Sequence, residues 1–192
     1  MEKITAIQVL DVISKSGRVP HGTRPRQNKQ RQTLYPNGNA LMGKDYDPQM
    51  HTAEHILNRT MVSMFGCGRS FSSHLNPGKS KCDYHFPRPL SAAEAEEVER
   101  RVNEQINRCL AVSEEMMPRS EAAALADVSK LPGSVAPDAP IRIVRVGDYD
   151  VCACIGAHVA NTSEIGVFRL ISHDFTPKTD EGGILRIRFK VS

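Results

Sequence analysis

Two pairs of metal-type side chains, each pair spaced by four, constrain this 192-residue chain more than any other feature. The first is His51-Thr52-Ala53-Glu54-His55, in a segment of helical character. The second, Cys154-Ile155-Gly156-Ala157-His158, comes about a hundred residues later and straddles the end of a strand and a glycine-containing turn. Positions i and i+4 share a helix face, so both imidazoles of the first pair can reach one cation. Neither pair is a strong signal alone. Together they are, because the remaining histidines (21, 74, 85, 173) and the cysteines at 67, 82 and 109 show no such pairing. One soft sulfur with three imidazoles matches the tetrahedral N/S preference of Zn²⁺. A single ion held by all four would tie the first helix to the sheet.

The surrounding periodicities say what those elements are. Residues 4–13 are β-branched and read as a strand. Asp47 is a good N-cap and Pro48 suits the first helical position, so a helix starts there. Met50, Leu57, Met61, Met64 and Phe65 form its stripe and Gly66 ends it. A strand follows at 81–86 and is stopped by Pro87 and Pro89. Ser91 and Glu94 form a capping box for a second helix, with Ala95, Val98, Val102, Ile106 and Leu110 as its apolar stripe. A shorter helix is expected over 119–127. Strands are expected at 141–146, 151–154, 168–175 and 184–191, the last with Leu185, Ile187, Phe189 and Val191 on one face and Arg186, Arg188 and Lys190 on the other. Hairpin-length turns between late strands predict an α+β fold, a mainly antiparallel sheet packed with the His-bearing helix and the long amphipathic helix.

Length allows one domain of ordinary size plus an appendage, and no apolar run approaches the ~18 residues of a membrane span. The N-terminus has no long apolar stretch with a cleavage site, which argues against secretion. Five cysteines, an odd number, read as reduced cytosolic thiols or metal ligands. The formal charge of +3 is uneven: residues 1–50 carry +4 and residues 51–192 about −1. Between Lys15 and Lys44 lie seven cations and no acid, an irregular basic arm suited to meeting phosphate or to serving as a solvated linker. The expected division is residues 1–47, an N-terminal strand and basic arm, and residues 48–192, a domain that carries both metal-type pairs.

Two zinc chemistries compete. His51-x-x-Glu54-His55 matches the inverted zincin pattern, in which Glu54 would be the general base of a metallopeptidase; on that reading the Cys154/His158 pair is accidental. A helical Glu is also commonplace, and a solvent-facing Glu54 is the simpler expectation. The other reading rests on resemblance. His51-x3-His55, then Cys154-x3-His158 and the loop Asn161-Thr162-Ser163-Glu164-Ile165-Gly166, resembles the editing domain of alanyl-tRNA synthetases and their free-standing AlaX-type trans-editing relatives. The stretch from Asp83 to Leu90, running into an acidic amphipathic helix, is similar to the corresponding part of the threonyl type. The resemblance covers roughly residues 48–192.

The resemblance implies a trans-editing hydrolase that, without ATP, cleaves the ester joining a wrong amino acid, chiefly Ser or Gly, to tRNA(Ala) in the cytoplasm. It implies Zn²⁺ at His51, His55, Cys154 and His158 as the catalytic centre, with Glu54, Gly156, Asn161 and Thr162 toward the substrate. Glu54 stands where alanyl synthetases often have Thr, near the amino-acid pocket. Cys152 stands where the threonyl type carries Asp, and Ile155 and Ala157 replace two residues of the usual Cys-Gly-Gly-Thr-His motif. A free-standing editor would grip tRNA phosphates through the arm (Arg24, Arg26, Lys29, Arg31) or through the row Arg186, Arg188, Lys190. A relative that keeps zinc and tRNA but has lost catalysis is the other binding-class expectation. Either a monomer or a homodimer fits the sequence.

Overall fold

The computed structural model describes residues 47–129, 131, 139–179 and 181–192. The N-terminal strand at 4–13, the basic arm with its four arginine and lysine candidates, and the boundary at 47/48 therefore lie at or outside the described residues.

Helix α1 (Pro48–Phe65) begins as its caps require. The Asp47 carboxylate accepts from the N–H groups of Gln49 and Met50 at 3.0 and 3.1 Å. Gly66 closes the helix at φ 65, a left-handed conformation that glycine adopts without steric cost. The expected stripe is only half the burial. Met50, Leu57 and Met61 pack in the core, yet His51, Thr52, Glu54, His55, Asn58 and Thr60 on the other side are buried too. Both faces of α1 are covered, one by the apolar core and one by polar loops.

Strand β1 (Ser72–His74) and β2 (Ser80–Phe86) lead into α2 (Ala92–Asn107). Its capping box is formed in both directions, Ser91 accepting from the Glu94 N–H and Glu94 accepting from the Ser91 N–H. Ala95, Val98, Val102 and Ile106 are buried as the stripe predicts, while Leu110 lies beyond the helix. Then come β3 (Val112–Met117), α3 (Arg119–Leu125), β4 (Ile141–Val146), β5 (Asp150–Ala153), a single 3₁₀ turn (Thr162–Glu164), β6 (Phe168–Thr179) and β7 (Gly182–Val191).

Among the described residues the strands form two antiparallel sheets, ordered β1-β2-β7-β6 and β3-β4-β5. The α+β architecture and its antiparallel pairing are those expected from sequence. In the larger sheet Cys82 faces Ile187 and Tyr84 faces Leu185, so the alternation of β7 lands on the buried face of β2. Phe189 stacks on Phe168 at 5.2 Å and both are fully buried. Helices α1 and α2 complete this core, and a smaller cluster around Met117, Ala122, Ile141 and Ile143 holds α3 to the second sheet.

The differences from expectation have local reasons. Strands β1 and β3 were not anticipated: β1 is three residues in a Ser/Gly stretch, and β3 (Val-Ser-Glu-Glu-Met-Met) is an edge strand with only Met117 buried, so it lacks alternation. Strand β6 runs past Phe175 to Thr179 because it too lies at an edge, where Pro177 need not donate to a neighbour. Helix α3 stops two residues early, and β5 is shifted one residue back, leaving Cys154 just past its end. In the cationic row, Arg186 forms a two-pronged pair with Asp83 at 2.7 Å and Arg188 pairs with Asp174, so two of its three members already hold carboxylates.

Candidate metal centre

One turn of α1 sets His51 and His55 on the same face, and the loop after β5 brings Cys154 and His158 to them. The four donor atoms, one from each residue, lie within 4.8 Å of one another. His51 and His158 stack at 4.2 Å, and the His55 ring stands across both at 83° and 73°. The thiol Sγ of Cys154 is 3.3 Å from His51 Nε2. The two halves of the sequence signal thus meet at one point.

Each imidazole is oriented from behind. The Ala157 carbonyl, which can only accept, lies 3.0 Å from His51 Nδ1, so that nitrogen carries the proton and Nε2 presents its lone pair inward. Thr52 Oγ1 donates to the Pro48 carbonyl at 2.8 Å, so its single hydrogen is spent. It must then accept from both the Val159 N–H at 3.2 Å and His158 Nδ1 at 3.1 Å. His55 Nδ1 faces the Asp150 carboxylate at 3.3 Å, an ion-pair contact rather than a formed hydrogen bond. All three rings therefore offer Nε2 to the centre, the arrangement in which outer partners fix the tautomer of metal-binding histidines.

The electrostatics agree. Burial opposes a Cys154 thiolate, but the three surrounding imidazoles outweigh it and hold the thiol well below its usual value. Burial, reinforced by the neighbouring histidines, pushes His158 down to about 3, so its ring is neutral. Burial acts the same way on His55, but Asp150 and Cys154 overcome it and raise that group. Asp150 is held low despite its burial by His55 and by the Arg69 guanidinium, which grips it at 2.6 and 3.1 Å.

The donor set fits a zinc ion on two observations of this site. A Cys thiolate with three imidazole Nε2 positions is a zinc donor set, whose members would stand about 3.3–3.6 Å apart around a tetrahedral ion once His55 gives up its proton to the metal. His158 Nε2 is buried without a hydrogen-bond partner, a cost the fold bears unless something electrophilic meets it.

The loop itself is locked by Arg142, a buried β4 residue that sequence reading did not single out. Its guanidinium donates to the carbonyls of Cys154 and Gly156 at 3.0 and 2.7 Å and pairs with Glu114 at 2.6 Å. Gly156 thus serves the loop's shape through its carbonyl.

A cavity of about 520 Å³ opens beside the cluster, walled by His51, His55 and Cys154 together with Glu54, Cys152 and Phe71. Glu54 does not face solvent as expected from helix chemistry; it is 8% exposed. Its Oε1 accepts from Asn58 at 2.6 Å, Ser73 at 3.0 Å and Ser70 at 3.3 Å. The segment after α1 folds back over this face, anchored by the Ser70 N–H on Asn58 Oδ1 at 2.8 Å, and that covering buries the carboxylate. Burial also raises the Cys152 thiol.

Asn161 and Thr162 are placed elsewhere. Asn161 caps the 3₁₀ turn and donates to the Cys109 carbonyl at 2.8 Å. Thr162 is fully buried, donating to the Ile106 carbonyl and accepting from the Leu110 N–H, both at 2.9 Å. Both side chains are committed to the C-terminal end of α2 instead of the cavity. Of the expected substrate residues, Glu54 alone lines it. Thr52, Asp150, Arg69 and Arg142 were missed because their partners lie far along the chain; Thr52 alone carried a hint, lying between the two histidines.

Residues 141–188 match the family described as Threonyl and Alanyl tRNA synthetase second additional domain. The alanine–tRNA ligase of Acidithiobacillus ferridurans is 33% identical over 123 residues, covering 64% of this chain and 14% of that protein. That of Treponema denticola is 31% identical over 139 residues, 72% of this chain and 22% of that protein. The Bacillus subtilis (strain 168) enzyme is 33% identical over 126 residues, covering 64% and 14%. The chain spans less than a quarter of the length of these curated relatives.

Proposed function

From the premise that the chain is alanyl-tRNA synthetase editing-domain-like, we propose that it is a zinc-dependent hydrolase that removes a wrong amino acid, chiefly Ser or Gly, from tRNA(Ala). The observation that carries the reading is the cluster itself: three inward Nε2 atoms and one low-lying thiol, at the wall of a cavity large enough for an aminoacyl ester. His51, His55, Cys154 and His158 would hold the ion; with one of the four displaced it would polarise a carbonyl or lower the pKa of a water.

The chain's own residues do the rest. Four donors fill a tetrahedral shell, so in this reading the ester is oriented by the cavity wall. Glu54 supplies an anionic floor backed by Ser70 and Ser73, suited to the ammonium or hydroxyl of a small amino acid. Cys152 and Phe71 bound the space left for its side chain. Asp150 and Thr52 hold His55 and His158 in register. An inverted-zincin peptidase is disfavoured: it leaves Cys154 and His158 without a task and needs Glu54 as a base, whereas that carboxylate already takes three hydrogen bonds.

The partner in this reading is mischarged tRNA and the place of work the cytoplasm; no described helix is long and apolar enough to cross a membrane. The test is a deacylation panel of Ser-, Gly-, Thr- and Ala-tRNA with zinc-loaded protein. Hydrolysis of Ser- or Gly-tRNA(Ala) faster than Ala-tRNA(Ala) supports the proposal. Zinc and tRNA binding with no hydrolysis of any member, at micromolar protein, would make the chain a silent binder instead.

A further inference from the structure

Phe71, which bounds the cavity in the reading above, also presents a ring outward. Phe71, between α1 and β1, lines the same cavity as His51, His55 and Cys154 and yet is 42% exposed. The ring lies nearly parallel to the imidazole of His85, with centroids 4.3 Å apart and 19° between planes. His85 is itself exposed, because its β2 neighbours Tyr84 and Phe86 take the buried face. The Phe71 N–H bonds the Asp83 carbonyl at 2.9 Å and fixes the ring's base against β2. The result is a preassembled stack of two flat rings outside the core, with Phe71 on the wall of the cavity and His85 beside it on β2.

The ground beside that stack is cationic. On the outer face of the larger sheet the register sets Lys81 opposite Arg188 and Asp83 opposite Arg186, with Lys190 further along β7. Four cations, Lys81, Arg186, Arg188 and Lys190, meet two carboxylates there, Asp83 and Asp174. The face keeps a positive excess after its internal pairs are formed.

We propose that the Phe71–His85 stack is a platform for a nucleobase of the single-stranded 3′ end of tRNA, which would cross the cavity mouth while its phosphates follow the basic sheet face. This rests on the tRNA reading above and adds to it the site that holds the nucleotide. Single-stranded RNA is recognised by splaying bases onto aromatic side chains, and every base offers a π-face. A stack already formed loses little freedom when a base adds to it.

The experiment titrates the zinc-loaded full chain with an uncharged, labelled single-stranded RNA ending in CCA, read by fluorescence anisotropy. Phe71→Ala is expected to weaken binding roughly 5- to 150-fold, the range for loss of one base–aromatic stack, and to leave zinc content unchanged. Phe71→Tyr, which keeps a stacking ring, is expected to bind within a few-fold of wild type. The chain contains no tryptophan, so Phe71→Trp adds a single reporter whose emission should be quenched as the RNA binds. Wild-type affinity in Phe71→Ala overturns the platform and leaves the tRNA reading standing. No binding of this RNA by the wild-type chain overturns both.

Discussion

Thr52→Val isolates what orients the metal centre, because it changes no ligand and almost no volume. The hydroxyl is fully buried and holds three partners: it donates to Pro48 and accepts from the Val159 N–H and from His158 Nδ1. Valine replaces it with a methyl group, so two buried donors lose their acceptor. Each costs about 1–3 kcal/mol; part of that is relieved if His158 moves its proton to Nε2, where it would block the ion. The expected result is therefore twofold: a fold destabilised by about 2–4 kcal/mol, and zinc affinity lowered about 10- to 100-fold, the usual effect of losing an outer partner of a metal-binding histidine. Competition against a chromogenic chelator measures the affinity, and urea unfolding of the metal-free chain measures the stability. Thr52→Ser should recover most of both. Zinc affinity within twofold of wild type in Thr52→Val, in a protein that still folds, would refute the assignment of Thr52 as the group that sets the His158 tautomer.

Three further outcomes are expected. Cys154→Ala should lower zinc affinity by more than the 10- to 100-fold cost of losing an outer partner; metal analysis finding wild-type zinc retention would remove Cys154 from the ligand set. Asp83 is held below the ordinary carboxylate value by Arg186, so the pair stabilises the fold fully above the unfolded-state pKa of about 4 and loses its contribution as pH falls through the lower folded value. Asp83→Asn should therefore flatten the fall in urea midpoint as pH drops below about 4, and an unchanged acid limb would mean that the pair contributes nothing. Deleting residues 15–44 should weaken tRNA binding and reduce the slope of log affinity against log salt; an identical slope would reduce that segment to a linker.

Much of the frame was legible because it depends on contacts within a few residues. The start and end of α1 follow from Asp47, Pro48 and Gly66, the start of α2 from Ser91 and Glu94, and the buried face of β7 from the alternation of Leu185, Ile187 and Phe189. Each is an interaction at i+2 to i+4, or a period of two, and needs no knowledge of the rest of the chain. The meeting of the two four-spaced pairs was legible for a different reason: zinc chemistry asks for four such donors, and the chain offers one paired set.

What the tertiary structure alone decided is how those donors are aimed and what surrounds them. The proton positions on His51 and His158 are set by the Ala157 carbonyl and the Thr52 hydroxyl, contacts that each span 106 residues, and Arg142 shapes the ligand loop from a neighbouring strand. Glu54 reads as a surface helix residue from its local pattern, and it is buried because the segment through Ser70 and Ser73 folds over it. Asn161 and Thr162 sit in the motif that carried the resemblance, yet their side chains close the end of α2. A side chain's chemistry and spacing say what it can bind; which element covers it, and therefore what it does bind, depends on partners that only the folded chain brings within hydrogen-bond reach.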